Sequence, residues 1–284
     1  MWASWTRICI ATGWLLLDQI TPLILTFNEE PNIGRVLEKL TWASEVVVLD
    51  SGSTDRTREI ATSFKNVRWE TRPFDSFAGQ CNYALDQLIP SDRWVLSLDA
   101  DYVLSDDFPG EIESLAASGQ DKAGFESSFL YCIDGVPLRG CLYPPRTCLF
   151  RNLPQNRYIQ DGHAHRLVIS GKIKKLRSKI LHDDRKPLSR WLTSQAKYGE
   201  QEAKLLLNKP WKDLRLSNRI RKFLVLSPFL APLVYFIPRF GFLDGKIGLQ
   251  YAFQRMIAEL IISLKLLELR RNQLTEPLSG KPKN

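Results

Sequence analysis

The 284-residue sequence is sparing with cysteine, with long apolar runs and with repeats. Its five cysteines (Cys9, Cys81, Cys132, Cys141, Cys148) are odd in number and none belongs to a CxxC pair. That argues against a disulfide framework or a cysteine zinc site, and for a reducing compartment. No apolar stretch reaches the ~20 residues that a straight spanning helix needs. Ile8–Leu17 (ICIATGWLLL) is ten residues long, is closed by Asp18 and has no small-residue cleavage site behind it. It is expected to be an ordinary leading segment or a misassigned start rather than a signal peptide. Internal repeats and low-complexity linkers are absent too, which excludes a solenoid or a string of tethered modules.

What is present is a globular balance, with 44% hydrophobic and 25% charged residues. The charge is unevenly placed. Residues 200–284 hold 15 Lys and Arg against 7 Asp and Glu, whereas residues 1–199 hold 24 of each sign. The net charge of +8 therefore resides in the C-terminal tail. A basic tail calls for nucleic acid or an anionic membrane surface.

Residues 20–105 alternate in character. Ile20–Thr26 (ITPLILT), Glu45–Leu49 (EVVVL), Val67–Glu70 and Trp94–Leu98 read as strands. Ile33–Leu40, the stretch RTREIATSF opened by Asp55 at an N-cap position, and the segment carrying Gln80, Asn82 and Leu85 read as helices. The alternation predicts βαβ units: an α/β fold with a mostly parallel sheet flanked by helices. Ligands of such sheets bind beyond the carboxyl ends of the strands. Thr26–Glu30, Asp50–Thr54 and Asp99–Asp101 are thereby candidates for one site. Beyond Ala123 the pattern turns to β and irregular structure, with GFESSFLYCI, the turn Asp134-Gly135 and RTCLFRN. Asp161–Ile169 (DGHAHRLVI), the turn Ser170-Gly171 and KIKKLRSKIL, ending at His182, predict a hairpin. Leu188–Leu207 reads as one helix.

The stretch WVLSLDADYVLS runs an apolar strand into Asp99 and Asp101, one residue apart. Paired carboxylates repel each other and destabilise a fold that leaves them without a partner. A divalent cation, Mg²⁺ or Mn²⁺, is the simplest partner, because it takes carboxylate oxygens and leaves positions for substrate phosphates.

LTFNEE, VVVLDSGSTDRT and LSLDADY, in this order and spacing, resemble glycosyltransferase family 2, the sugar-nucleotide transferases of GT-A fold. The tail's RFGFLDGKIGLQYAF and the segment ending KILHDD resemble a subgroup that builds lipopolysaccharide core or related envelope glycans. The resemblance covers about residues 20–270. It implies a transferase that passes sugar, with inversion, from a nucleoside diphosphate sugar (a UDP-sugar is expected) to a glycan or lipid-linked acceptor. By the same resemblance Asp101 binds the metal, and Asp99 holds the ribose or a metal-bound water. Asp50 accepts from the uracil N3–H or a ribose hydroxyl. Thr26 and Glu29 line the base pocket, and Gln80 and Asn82 approach the donor. Asp55 stays a helix cap. Where the family often has a basic residue near the donor this chain has Cys81, so Arg72 or Arg146 is expected to balance the phosphates.

All three histidines, His163, His165 and His182, fall in the second half of the β region. Alternation along one strand would place Asp161, His163 and His165 on one face. Asp161 is expected to be the catalytic base, with His163 and His165 as competitors. His182, ending a strand, is expected to complete the metal shell.

In the tail, Leu214–Lys222 (LRLSNRIRK) sets four cations before Phe223–Pro238, a 16-residue apolar run holding Pro228, Pro232 and Pro238. Three prolines oppose a straight helix. A re-entrant or interfacial pair of short helices is expected, followed by a helix over Leu249–Leu267 lying in the membrane plane. Nucleic acid is excluded as a partner because the cations alternate with long aliphatic runs. The expected organisation is a leading segment over 1–19, a GT-A catalytic domain over 20–207 and a basic, membrane-associated helical tail over 208–284. The protein would then sit at the cytoplasmic face of the inner membrane, peripheral or monotopic. Two alternatives remain open. LSLDADYV also fits the hhhDxDx(T/V) motif of haloacid-dehalogenase-type phosphatases, with Asp99 as covalent nucleophile and Asp183-Asp184 as the later acidic pair. Residues 20–93, however, precede a motif that usually opens its domain. The second alternative is a polyprenyl-phosphate glycosyltransferase.

Overall fold

The computed structural model describes residues 17–117, 122–140, 142–161 and 164–275. Strands β1 (Ile20–Thr26), β2 (Val46–Asp50), β3 (Val67–Thr71) and β4 (Trp94–Asp99) pair in parallel in the order β3-β2-β1-β4. Helices α1 (Ile33–Glu38), α2 (Thr57–Thr62) and α3 (Phe77–Gln87) connect them. Strands β1, β2 and β4 are largely apolar on both faces because both faces are covered, whereas the edge strand β3 is polar and half-buried. Ile24, Val48, Leu96 and Leu98 pack with Ile33, Val36 and Leu37 of α1. Leu23, Val47, Leu49 and Val95 pack with Ala78, Cys81, Ala84 and Leu85 of α3. The chain leaves β1 for β2 on one side and returns to β4 on the other, so a crevice opens where the strand order reverses.

The sheet continues beyond β4 through β5 (Tyr102–Leu104), β6 (Gly124–Ile133), β8 (Arg146–Arg151) and β11 (Ile173–His182), in the order β4-β8-β6-β11-β5. The short β7 (Val136–Pro137) pairs with β6. Helix α4 (Phe108–Ala117) follows β5. Strand β8 runs antiparallel to β4 and to β6, while β11 is parallel to β6 and antiparallel to β5. The register of this last pair matters most. It sets His182 opposite Tyr102 and brings the end of β11 beside Asp101.

The expected hairpin across Ser170-Gly171 does not form. Strand β10 (Ala164–Val168) pairs antiparallel with β9 (Arg157–Asp161), and β11 joins the main sheet. The buried face of β11 supplies the reason, since Leu176 and Ile180 join the core shared with Phe108 and Ile112 of α4. Gly171 still turns the chain, with φ at +119°, but towards the edge of β6. Asp161 and His165 consequently stand on two strands, Asp161 opposite Ala164 and His165 opposite Gln160. The single face expected to carry Asp161, His163 and His165 is not formed. His163 lies outside the described residues, as do the side chains of Asp161 and His165.

The chain divides into two compact units. The first comprises the residues up to Pro137 and Leu142–Lys186, and the second Leu138–Cys141 with Pro187 onwards. The expected boundary at residue 207 is thus one helix late. Helix α5 (Leu188–Asn208) belongs to the second unit because its Ala203 and Leu206 pack with Ile262 and Leu266 of α8 (Gly245–Thr275). Between them lie α6 (Leu216–Arg221) and α7 (Leu226–Phe236). The apolar run forms one helix, α7, rather than two. Pro228 falls in its first turn, where no backbone N–H is needed, and Pro232 lies inside it.

Candidate active site

The loops after β1 and β2 are tied to each other through Asp50. This buried carboxylate accepts from Thr26 Oγ1 at 3.0 Å, the Gly52 and Ser53 backbone N–H at 2.8 Å each, and Ser53 Oγ at 2.5 Å. Gly52 has φ at +97°, a region that suits glycine. Asn28 Oδ1 accepts from Thr54 N at 2.7 Å, and Asp55 accepts from Thr57 N at 3.0 Å and Glu30 N at 3.2 Å. Asp55 thus opens α2 and clips the first loop to the second. Asp50 and Thr26 hold the crevice floor in shape through bonds made within the protein.

At the ends of β4 and β11 two acid–base pairs meet. His182 Nε2 lies 3.2 Å from Asp101 Oδ2, and both side chains are largely buried. The imidazole packs edge-on against Tyr102, Tyr131 and Tyr143, with ring centroids 5.1, 5.0 and 5.0 Å away. Burial opposes a charge on His182, but Asp101 outweighs it and raises the histidine above its ordinary value. Burial likewise opposes a charge on Asp101, and His182 holds it below the usual carboxylate range. Beside this pair, Arg146 Nη1 lies 3.4 Å from Asp99 Oδ2 and donates to Tyr102 Oη at 3.0 Å. Tyr102 and Tyr143 share a hydroxyl–hydroxyl bond of 2.7 Å. Arg146 is half-buried, and Asp99 keeps it cationic against the pull of burial.

A third group was invisible in the motifs. Lys186 Nζ donates to Glu29 Oε1 at 2.6 Å and lies 3.7 Å from Asp184 Oδ1. Asn32 donates to both Glu29 Oε2 at 2.8 Å and Asp184 Oδ1 at 2.9 Å. Arg35 Nη1 and Arg185 Nε hold the buried Asp183 at 2.5 and 2.9 Å. The segment after β11 is therefore pinned across the N-terminal end of α1. The run HDDRK at a strand end carried a signal for this, since so dense a charge cluster needs partners, but nothing local said which.

Burial pushes the Glu29 carboxyl up to about 7, the Lys186 ammonium pulls it down, and the charge on Asp101 pushes it up again. The folded protein keeps a proton on Glu29 that the unfolded chain releases near pH 4.5. The stability contributed by Glu29 therefore falls as pH rises from about 4.5 to about 7, by on the order of 3 kcal/mol, and is flat above. Glu29→Gln, which cannot ionise, is expected to gain thermal stability relative to the unmodified protein between pH 5 and pH 8. Melting curves across that range would show the widening difference; a constant difference would contradict the assignment.

Three donor-site expectations meet different geometry. Asn82 spends its amide on the backbone of Tyr158, donating at 3.0 Å and accepting at 2.9 Å, which fixes β9 against α3. Gln80 is buried, and its Nε2 donates to the Arg72 carbonyl at 3.0 Å while its Oε1 has no hydrogen-bond partner. Cys81 sits in the core between α3 and the sheet, its thiol pushed up by burial. Of the two arginines expected to compensate, Arg72 is bound to Asp75 at 2.9 and 2.7 Å, and Arg146 is the one beside Asp99.

No group of three His, Cys, Asp or Glu side chains among the described residues is placed to hold a metal. Asp101 and His182 sit close enough to offer one oxygen and, once a cation displaces the imidazole proton, one nitrogen at a single point. That pair fits Mg²⁺ or Mn²⁺, which commonly keep one or two protein ligands and take the rest from phosphates and water.

The glycosyl transferase family 2 sequence model matches residues 23–122, the segment that builds β1 to β4 and the Asp99–Asp101 corner. The chain is a glycosyltransferase with a family 2 domain. The transferase is 32% identical over 110 residues to the lipopolysaccharide core biosynthesis glycosyltransferase LpsC of Rhizobium meliloti (strain 1021), covering 37% of this chain and 40% of that protein. It is 28% identical over 258 residues to the uncharacterized glycosyltransferase RT0209 of Rickettsia typhi, covering 85% of each. Among solved structures, it is similar to a glucosyl-3-phosphoglycerate synthase from Mycobacterium tuberculosis, crystallised with Mn²⁺, UDP and glucosyl-3-phosphoglycerate. That likeness has a TM-score of 0.45 and 18% identity, covering 72% of this chain and 86% of that one. The phosphatase alternative loses ground here. Residues 20–93 of the transferase, which that reading left over, form three strands of the same sheet. Asp183, its proposed acidic partner, is tied to Arg35 and Arg185.

Proposed function

We propose that the transferase moves a sugar, with inversion, from a nucleoside diphosphate sugar, expected to be a UDP-sugar, to a glycan or glycolipid acceptor of the cell envelope. The observation that carries this reading is the meeting of Asp101–His182 with Asp99–Arg146 at the strand ends beside the crevice. The name of LpsC supports the envelope assignment. Asp101 and His182 would hold the divalent cation, and a cation there would neutralise charge on a departing diphosphate. Arg146 supplies a fixed positive charge to the same phosphates, in a setting where burial strengthens it. Asp99, less buried than Asp101, accepts from a ribose hydroxyl. Asp50 and Thr26 keep the loop around the base in shape, with Glu29 beside it. Asp161 takes the proton of the acceptor hydroxyl.

The test is an assay of released nucleoside diphosphate, with a panel of UDP-sugars and an extract of envelope glycolipids as acceptor. Release that depends on the acceptor is expected. Hydrolysis of a generic phosphate ester, with no dependence on acceptor, would overturn the reading in favour of phosphatase chemistry.

A further inference from the structure

The second unit carries apolar side chains on its outer face as well as in its core, and buries polar ones. In α8, Glu259 and Ser263 are buried at 2% and 7% exposure. Glu259 accepts from Arg221 Nη2 at 2.7 Å, Arg221 Nε at 2.9 Å and Arg255 Nη2 at 3.1 Å. On the outer face, Leu249, Phe253, Ile257, Leu260, Leu264 and Leu267 recur every three or four residues, Phe253 being 54% and Leu264 64% exposed. Helix α7 repeats the arrangement. Its buried Tyr235 donates to Asp244 Oδ2 at 2.7 Å, while Phe229, Leu230, Leu233 and Val234 face out. An amphipathic helix of a water-soluble protein turns its apolar stripe inward and its ion pairs outward. Exposed apolar patches on soluble monomers are rarely larger than ~300–600 Å². Two helices carrying aligned apolar side chains of this size need a cover.

A second copy of the chain or a lipid surface could supply it, and charge decides between them. Arg215, Arg239 and Lys246 are exposed around the apolar helices. A twofold contact through this face would set those cations close to their own copies, whereas an anionic leaflet takes all of them on phosphates. No single helix among the described residues is long and apolar enough to cross a membrane, and Leu226–Phe236 and Gly241–Gln273 are bent by 74°. A bent apolar pair suits seating in one leaflet.

We propose that α7 and the outer stripe of α8 form a monotopic membrane seat. They bury their apolar side chains in the acyl region of an anionic leaflet, while Arg215, Arg239 and Lys246 engage lipid phosphates. This holds whatever donor and acceptor the first unit uses. The test is flotation of the full-length chain with phosphatidylcholine vesicles, with or without phosphatidylglycerol. The unmodified chain is expected to float with the anionic vesicles. Reversing Arg239 and Lys246 together (Arg239→Glu, Lys246→Glu) should weaken that binding by at least about fivefold for each cation lost. Phe229→Ser with Leu233→Ser should weaken binding to both vesicle types by about tenfold or more, with the circular-dichroism melt unchanged because both side chains are exposed. A chain that stays in the aqueous fraction with anionic vesicles would overturn the proposal. So would variants that float as well as the unmodified chain, or a dimer by light scattering that the serine variant dissociates while no form binds vesicles.

Discussion

Asp101→Asn is expected to lower turnover by about two to three orders of magnitude, the scale seen when one preorganised electrostatic group is removed from a reacting centre. The amide keeps the shape of the carboxylate but brings no charge to a cation or to His182. Its effect should exceed that of Asp99→Asn, because the cation is assigned to Asp101 and only a ribose hydroxyl to Asp99. The fold should survive at some cost in stability, because the buried His182 can go neutral once its partner is gone. A second consequence follows from the pair at 3.2 Å. Without Asp101 the buried His182 loses the partner that keeps it protonated, so the variant's imidazole should titrate at lower pH, visible in its proton NMR shifts. An active Asp101→Asn enzyme, or unmodified activity indifferent to EDTA, would remove the metal assignment.

Asp161→Asn should leave donor binding nearly unchanged and reduce turnover by about two to four orders of magnitude, the usual contribution of a positioned base. An acceptor hydroxyl is a poor nucleophile until its proton is taken. Asp161 closes β9, and β9 is held to α3 by Asn82, so its backbone is fixed relative to the donor side of the first unit. The variants His163→Ala and His165→Ala are the controls. If Asp161→Asn turns over normally while either histidine variant is dead, the base is that histidine. Glu29→Gln completes the comparison, because a carboxyl near 7 also has the pKa of a base. Glu29 is bound to Lys186, however, and its loss is expected to weaken donor binding more than the chemical step.

Strands β1, β2 and β4 are legible because their residues are largely apolar on both faces and bounded by turn signals, and the polar edge strand β3 is legible from its place in the alternation of strands and helices. The Asp99–Asp101 corner was legible for a related reason, since two carboxylates at a strand end demand a partner wherever the chain goes next. What could not be read is what long-range pairing decides. Lys186 reaches Glu29 across 157 positions, and Arg146 reaches Asp99 only because β8 lies beside β4. The alternation of 161–169 and 172–181 said that both were strands but not that they belong to different sheets. Asn82 and Gln80 read as donor ligands because polar residues on a helix near a site have two uses; Asn82 bonds the Tyr158 backbone, and Gln80 bonds the Arg72 and Pro73 carbonyls and Ser51 Oγ. Helix α5 was placed with the catalytic domain by its position in the chain, whereas its Ala203 and Leu206 belong to the core formed with α8.

If the crevice binds a nucleotide sugar through a cation held by Asp101 and His182, affinity for the sugar nucleotide depends on the metal. Calorimetric titration of the purified chain with a panel of UDP-sugars, in Mn²⁺ and in EDTA, tests it most directly. Saturable binding of a UDP-sugar in Mn²⁺ is expected, weakened at least about tenfold by EDTA and by Asp101→Asn alike, as when a metal site is disabled. Equal affinity in Mn²⁺ and EDTA, or equal affinity of the Asp101→Asn variant, would contradict it.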